Sequence, residues 1–419
     1  MRKFIVIWFG QLISTTGSYM TEFALILWAW NLTSSTTALA LVGFFSQLSR
    51  IPVTLFAGVV VDRYNRKRLM LLGDTVAALS TIAIGILYLT NSLQIWHIYL
   101  VTSINGGFSQ IQQLAYQTSV SLIVSSAQYT RANSMNSAVH YGSSIVAPAF
   151  AGFLYPLIQL PGILLLDLIT FSVATATILF TRIPQPESAT SLESIASQLT
   201  FGFRHIWRQP QLKVLLLTSA LFWFAHDLGG AVYEPMILAR TNGNAQVLAS
   251  TATAAGVGGV IGAISLSALS GSKQSGSKQR FRGMLLGFMG AGLSKAIFGL
   301  GRSPQVWLPA QFCSSLNFPL ISSSKQAILM EAVAPELQGK VFAADELLIR
   351  LVSAIAALMA GPLADLVLEP AMQSNPIFAQ ILAPAFGSQT GAGIAVLYVL
   401  CAIAMLLIGI AARTLMPKT

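Results

Sequence analysis

A chain of 419 residues that is 54% hydrophobic, only 9% charged and carries 33 glycines is too apolar and too poor in charge for an ordinary soluble globule. Its 24 Lys and Arg outnumber its 14 Asp and Glu, but the basic residues are not gathered into one face or tail, so no nucleic-acid partner is expected. Cys313 and Cys401 both fall inside apolar runs and no metal-ligand spacing is present, so neither a disulfide, a metal site nor a cofactor is expected.

A helical membrane span needs roughly 20 mostly apolar residues. Such runs recur near 4–30, 38–61, 69–90, 95–118, 134–157, 162–181, 211–238, 246–269, 282–301, 305–330, 341–368 and 391–413. The chain therefore reads as an all-α polytopic membrane protein with 12 transmembrane helices. The first run opens with MRKFIVIWFG, as a signal peptide would, but continues to Trp30 without a small-residue cleavage site and so stays as a span. Basic residues recur at alternate turns, from Arg2 and Lys3 through Arg63, Arg66, Lys67 and Arg68 to Arg413 and Lys418, whereas the opposite turns receive only Arg240 and Arg302. That asymmetry places both termini in the cytoplasm, with the chain multi-pass in the plasma (cell inner) membrane.

Residues 183–210 form a longer polar connector after the sixth run, dividing the chain into an N-terminal six-helix half, 1–182, and a C-terminal six-helix half, 211–419. Within the connector, Thr190 to Glu193 reads as a capping box, and Leu192, Ile195, Leu199, Phe203 and Ile206 keep helical spacing. This predicts an amphipathic helix on the inner membrane face, with a disordered linker as the alternative. The turn GSKQSGSKQRFR carries Gly271 and Gly276 at phosphate-loop spacing, but Ser277 stands where a Lys is needed and no strand precedes it. It reads as a flexible basic loop. The last outer loop, about Glu369 to Thr390, carries Pro370, Pro376 and Pro384 and reads either as a lid over an outer vestibule or as a segment resting on the bilayer.

The stretch GVVVDRYNRKRLM, residues 58–70, sets Asp62 and Arg66 on one helical face and offers Gly58 for close approach of a neighbouring helix. Gly58, Asp62, Arg63, Asn65, Arg66 and Lys67 resemble the loop signature G-x-x-x-D-R-x-G-R-K of the major facilitator superfamily, between its second and third spans. Asn65 stands where the family has Gly, and Asn is tolerated in the left-handed conformation such a turn needs. In the fifth run, Ser143, Ala147, Pro148, Ala151 and Gly152 resemble the family's antiporter motif g-x-x-x-G-P-x-x-G-G, with small residues replacing several glycines. FALILWAW, YTRANSMNSA and ELQGKVFA look like the bacterial branch of macrolide and siderophore exporters. The resemblance covers the whole chain and implies two six-helix halves, alternating access and a monomer. It also implies proton-coupled export of an amphipathic small molecule: a drug, macrolide, siderophore or natural product. One departure concerns the Arg that the family's drug/proton antiporters carry in span four, where this chain has Thr102.

With that Arg replaced, coupling must use other buried ionisable groups, which cost at least a few kcal/mol to hold in a bilayer. Glu22 in the first run and Arg50 in the second form either a proton site or a static ion pair, and Glu22 facing a water-filled cavity is a further option. His226 and Asp227 are adjacent in the middle of the seventh run. The family's cavity is lined by spans one, four, seven and ten, which favours Asp227 as a coupling carboxylate, while His226 points about 100° away around the helix. Gln113, Gln117, Trp223, His226 and Asn317 are candidate cavity linings. Lys295 is expected to snorkel or pair structurally, Arg350 to pair with Glu346, and Asp74 and Asp167 to serve near span ends. Asp62 is expected to face the N-terminal end of the eleventh span near Gly339, and Arg66 to pair with a carboxylate, together latching a cytoplasmic gate.

The reading is a secondary transporter and not an enzyme, with a small-molecule substrate, protons and the lipid bilayer as partners. An importer or uncoupled facilitator is the alternative within the class. A non-transporting membrane sensor or assembly factor is the alternative outside it.

Overall fold

The computed structural model describes residues 1–125, 128–183, 195–270, 277–374 and 376–413. Among them no strand occurs, and the helices in chain order are α1 (Arg2–Thr33), α2 (Thr36–Arg63), α3 (Arg66–Leu89), α4 (Ile95–Ile123), α5 (Tyr129–Phe180), α6 (Ile195–Arg208), α7 (Pro210–Arg240), α8 (Ala245–Ser270), α9 (Ser277–Leu300), α10 (Pro304–Leu316), α11 (Phe318–Ala332), α12 (Pro335–Pro362), α13 (Glu369–Ser374), α14 (Pro376–Phe386) and α15 (Ala392–Ala411). All twelve apolar runs lie in these helices. The fifth and sixth share α5, broken at Gln159, whose φ of 54° is left-handed and which stands between Pro156 and Pro161. The tenth is divided at Asn317 into α10 and α11, and the eleventh continues from α12 through a π-helical segment, Leu363–Leu368. Among the described residues, eight helical segments are long and apolar enough by themselves to cross a membrane. Helices α1 and α4, which carry the polar stretches STTGSYMTE and SQIQQ, are not among the eight.

The chain divides into two compact units, Met1–Thr33 with Leu41–Leu192 and Ser34–Ala40 with Glu193–Thr419. In the first unit α1 runs against α5. Apolar helices in lipid gain little from hydrophobicity and associate through close packing. Small residues supply it here: a Cβ at Gly10 would lie 2.2 Å from Thr177 Oγ1, and one at Gly17 would lie 2.2 Å from Thr170 Oγ1. The antiporter-like stretch belongs to the same packed helix, with Ser143, Ala147 and Ala151 buried and Ser143 Oγ 3.0 Å from Thr16 Oγ1 of α1. Gly152 is also buried and Pro148 half-buried.

In the loop after α2 the conformation of Asn65 differs from expectation. A Cβ at Gly58 would meet nothing within 4 Å among the described residues. Asn65 is extended, at φ −62° and ψ 114°, because it caps α3: its Oδ1 accepts the Arg68 N–H at 3.1 Å. Buried Arg66 donates through Nη1 to the Thr118 carbonyl at 2.8 Å, so it satisfies the end of α4 through a backbone acceptor. Lys67 does the same for α5, with Nζ 2.7 Å from Leu179 O and 3.0 Å from Thr181 O. Arg63 is exposed, and the Asp62 side chain lies outside the described residues.

Two carboxylates expected near span ends are buried in the helix bundle. Asp74, 2% exposed, accepts from Gln112 of α4. Asp167, 1% exposed, accepts from Thr81 of α3 at 3.1 Å. Each carboxylate ties neighbouring helices together through neutral donors, which is how a carboxylate can be tolerated within a helix bundle.

In the second unit, the connector contains a helix at the predicted spacing, but its apolar face is directed elsewhere. Gly202 of α6 lies against α12, where a Cβ would be 2.2 Å from the Lys340 carbonyl oxygen. Ile206 enters a core shared with Leu212, Phe281 and Val341, leaving Phe201 and Trp207 outward. Thus α6 docks on protein with one face rather than lying with that face in the bilayer. The Thr190–Glu193 capping box and the glycines of the basic loop, Gly271 and Gly276, lie outside the described residues. The outer loop folds into α13 and α14. Arg240 Nη2 donates to Phe386 O at 2.9 Å, Arg302 Nη2 donates to Pro384 O at 2.8 Å, and Ile377 and Ile381 remain exposed one turn apart. The two arginines that break the charge asymmetry thus clamp the end of α14 through its carbonyls.

Candidate functional site

The ionisable groups of the spans form a cluster in each unit. In the first, Glu22 on α1 interacts electrostatically with Arg50 on α2, and Tyr19, one turn before Glu22, interacts with both. The Glu22 side chain is exposed. Gln113 and Gln117 lie one turn apart on α4 and are both exposed, while Tyr116 between them donates to Asn136 Oδ1 at 2.7 Å. Thr102 donates within its own helix to the Ile98 carbonyl at 2.9 Å.

The second cluster centres on Asp227 of α7. Its Oδ1 lies 2.8 Å from His226 Nδ1, and its Oδ2 accepts the Ser353 hydroxyl of α12. Adjacent helical residues ordinarily diverge, but here the imidazole turns back to its neighbour. His226 also sits among aromatic rings, 5.0 Å from Trp223 and 4.9 Å from Phe318, both near-perpendicular to it. Phe222 stacks on Phe288 at 3.8 Å behind them. The result is a partly accessible carboxylate beside an edge-to-face aromatic group. Asn317 marks the break next to Phe318, with Nδ2 donating to Cys313 O at 2.8 Å.

Lys295 of α9 does not snorkel. It is 7% exposed, its Nζ donates to Tyr398 OH of α15 at 3.3 Å, and it interacts electrostatically with Asp227. Tyr233, two turns beyond His226, donates to Thr251 of α8 at 2.6 Å. Asp227, Ser353 and Lys295 therefore join α7, α12 and α9 through polar groups, with Tyr398 adding α15.

Sequence reasoning identified Asp227 and the Glu346–Arg350 pair, which closes at 2.9 Å over one helical turn. It missed the Lys325–Asp345 ion pair, 2.7 Å between α11 and α12, although both residues were visible inside or beside apolar runs. It also missed Asp365 in the π segment. That carboxylate accepts from Ser35 Oγ at 2.8 Å, Thr36 N at 3.2 Å and Thr37 N at 2.8 Å, capping α2 from 330 residues away. The Ser-Ser-Thr-Thr run before α2 hinted at an N-cap, but nothing local named its acceptor.

Comparison with known proteins agrees with this architecture. The family profile of the Major Facilitator Superfamily matches residues 7–367. Macrolide efflux protein A of Streptococcus pyogenes is 25% identical over 370 residues, covering 87% of this chain and 89% of that protein. The multidrug efflux pump Tap of Mycolicibacterium fortuitum is 22% identical over 373 residues, covering 86% and 89%. Among solved structures, a bacterial homologue of the lysosomal transporter Spinster superposes with a TM-score of 0.71 at 14% identity, covering 98% of this chain and 97% of that one. The nucleoside transporter NupG superposes with a TM-score of 0.71 at 11% identity over the full length of both chains.

Proposed function

Because the chain belongs to the Major Facilitator Superfamily, and is thus a membrane transporter, we propose that it exports amphipathic small molecules in exchange for protons, by alternating access. Efflux relatives covering most of the chain support the direction. The observation that carries the coupling is the Asp227 carboxylate, held by His226 and Ser353 beside Trp223 and Phe318. An ionised carboxylate only accepts hydrogen bonds, whereas a protonated one carries an O–H that must donate. A proton taken up on the oxygen that faces Ser353 turns that contact from an accepted into a donated hydrogen bond or displaces it, loosening the tie between α7 and α12. The aromatic rings give a flat, lipophilic substrate a stacking surface next to that event. Glu22, with Arg50, is the corresponding group of the first unit.

In this reading the protein works as a monomer in the plasma membrane with both termini cytoplasmic. Everted vesicles test it. Asp227→Asn or Glu22→Gln is expected to abolish the dependence of efflux on an imposed pH gradient, and full gradient-driven efflux in both variants sinks the proposal. Thr102, in place of the family's span-four Arg, supports a second reading as an uncoupled facilitator. In that case wild-type flux follows the substrate gradient alone.

A further inference from the structure

At the end of the first unit that carries the N-terminus, Arg2, Lys3 and Val6 of α1 and Phe180, Thr181 and Arg182 at the end of α5 border a shallow cavity of about 390 Å³. Generic charge asymmetry explains cations on this side of a membrane protein. It does not explain a concavity that gathers three of them with two outward apolar side chains. The antiparallel packing of Gly10 on Thr177 is what brings the start of α1 beside the end of α5.

Cations at a helix C-terminus ordinarily serve its last carbonyls, but that service is already performed here. Lys67 donates to Leu179 O and Thr181 O, so Arg182 is not needed for it. Arg2, Lys3 and Arg182 are all exposed. Phe180 is 90% exposed and Val6 lies outward on α1. Three basic heads at the level where the helices leave the bilayer, with an aromatic and an aliphatic side chain next to them, match a phosphate group that carries an acyl chain. A basic recess between helix ends is the arrangement that holds anionic headgroups.

We propose that this recess is a binding site for the phosphate headgroup of an anionic phospholipid, with Arg2, Lys3 and Arg182 on the phosphate and Phe180 and Val6 along the first acyl carbons. The shared chemistry with free phosphate is the anion, and the apolar rim selects the lipid.

Native mass spectrometry of the purified full chain tests it, with dioleoyl-phosphatidylglycerol, dioleoyl-phosphatidylcholine and inorganic phosphate as probes. The wild type is expected to retain phosphatidylglycerol over phosphatidylcholine, and phosphate at equal concentration is expected not to displace it. Lys3→Gln combined with Arg182→Gln should weaken retention about fivefold for each charge removed. Phe180→Ala should weaken it with net charge unchanged, which keeps the test valid if the double variant folds poorly. Lys278→Gln combined with Arg282→Gln, a matched loss of charge outside the recess, should leave it unaltered. The proposal is overturned if phosphatidylcholine is retained as well as phosphatidylglycerol, or if the matched variant weakens retention as much as the recess variant. Displacement of the lipid by inorganic phosphate would overturn it too, in favour of a plain anion site.

Discussion

The Asp365 carboxylate accepts the backbone N–H of Thr37 at 2.8 Å, so a residue of the π segment after α12 serves as the N-terminal cap of α2. Ser34–Ala40 belongs to the second unit, where Thr37 also packs closely on Gly361 of α12, while α2 from Leu41 onward belongs to the first. Removing the cap by Asp365→Ala should cost about 1 kcal/mol at the first turn of α2. Amide hydrogen exchange at Thr36 and Thr37 should then accelerate roughly fivefold, and Asp365→Asn, which keeps one acceptor oxygen, should fall between. Unchanged protection in the Ala variant would mean that the cap does not hold that turn.

The glycines Gly58 and Gly202 should respond in opposite directions. Gly202→Ala drives a methyl into the Lys340 carbonyl and should destabilise the docking of α6 by roughly 1–3 kcal/mol. Limited proteolysis after Thr200 should become faster as a result. Gly58→Ala meets nothing within 4 Å among the described residues and should raise helix stability by roughly 0.5–1 kcal/mol, leaving the melting temperature level or higher. A destabilised Gly58→Ala would restore the close approach that the motif suggested.

What was legible in the sequence was what local periodicity and composition encode. Twelve apolar runs became helices because lipid leaves backbone groups no partner outside the helix, and Glu346 met Arg350 because one turn separates them. Within the site, Asp227 stood out as a carboxylate in the middle of an apolar run. The partners of the charged groups were not legible, since Arg66 reaches Thr118, Lys67 reaches Thr181 and Asp365 reaches Thr37 across 52, 114 and 328 residues. Asn65 was misread for a related reason: a motif position fixes a residue type, and the following helix decided that it would cap in an extended conformation.

The basic residues of the loop after α2 should separate stability from function. Lys67→Ala removes the donor to Leu179 O and Thr181 O and should cost roughly 0.3–1 kcal/mol as the end of α5 loses its cation. Fluorescence-detected size exclusion should register it as a lower melting temperature, with transport per folded molecule maintained. Asp62→Asn is expected to do the reverse, inserting normally but transporting poorly. An equal loss of insertion and transport in Asp62→Asn would remove the proposed gating role.

Lys295 and Asp227 should prove energetically coupled. Lys295 is buried and has Tyr398 OH at 3.3 Å, a neutral partner that does not offset its charge, so the electrostatic interaction with Asp227 is the compensating one. Lys295→Met alone should leave the Asp227 carboxylate without its countercharge, and Asp227→Asn alone should leave a buried ammonium. The double variant should recover part of both losses, with a coupling of about 1 kcal/mol or more in a double-mutant cycle of thermal stability. Strict additivity would show that Lys295 is held by Tyr398 and packing alone, and Asp227 by His226 and Ser353. Transport of the double variant carries a separate expectation: stability returns, but gradient-driven efflux does not, because the titrating carboxylate is gone.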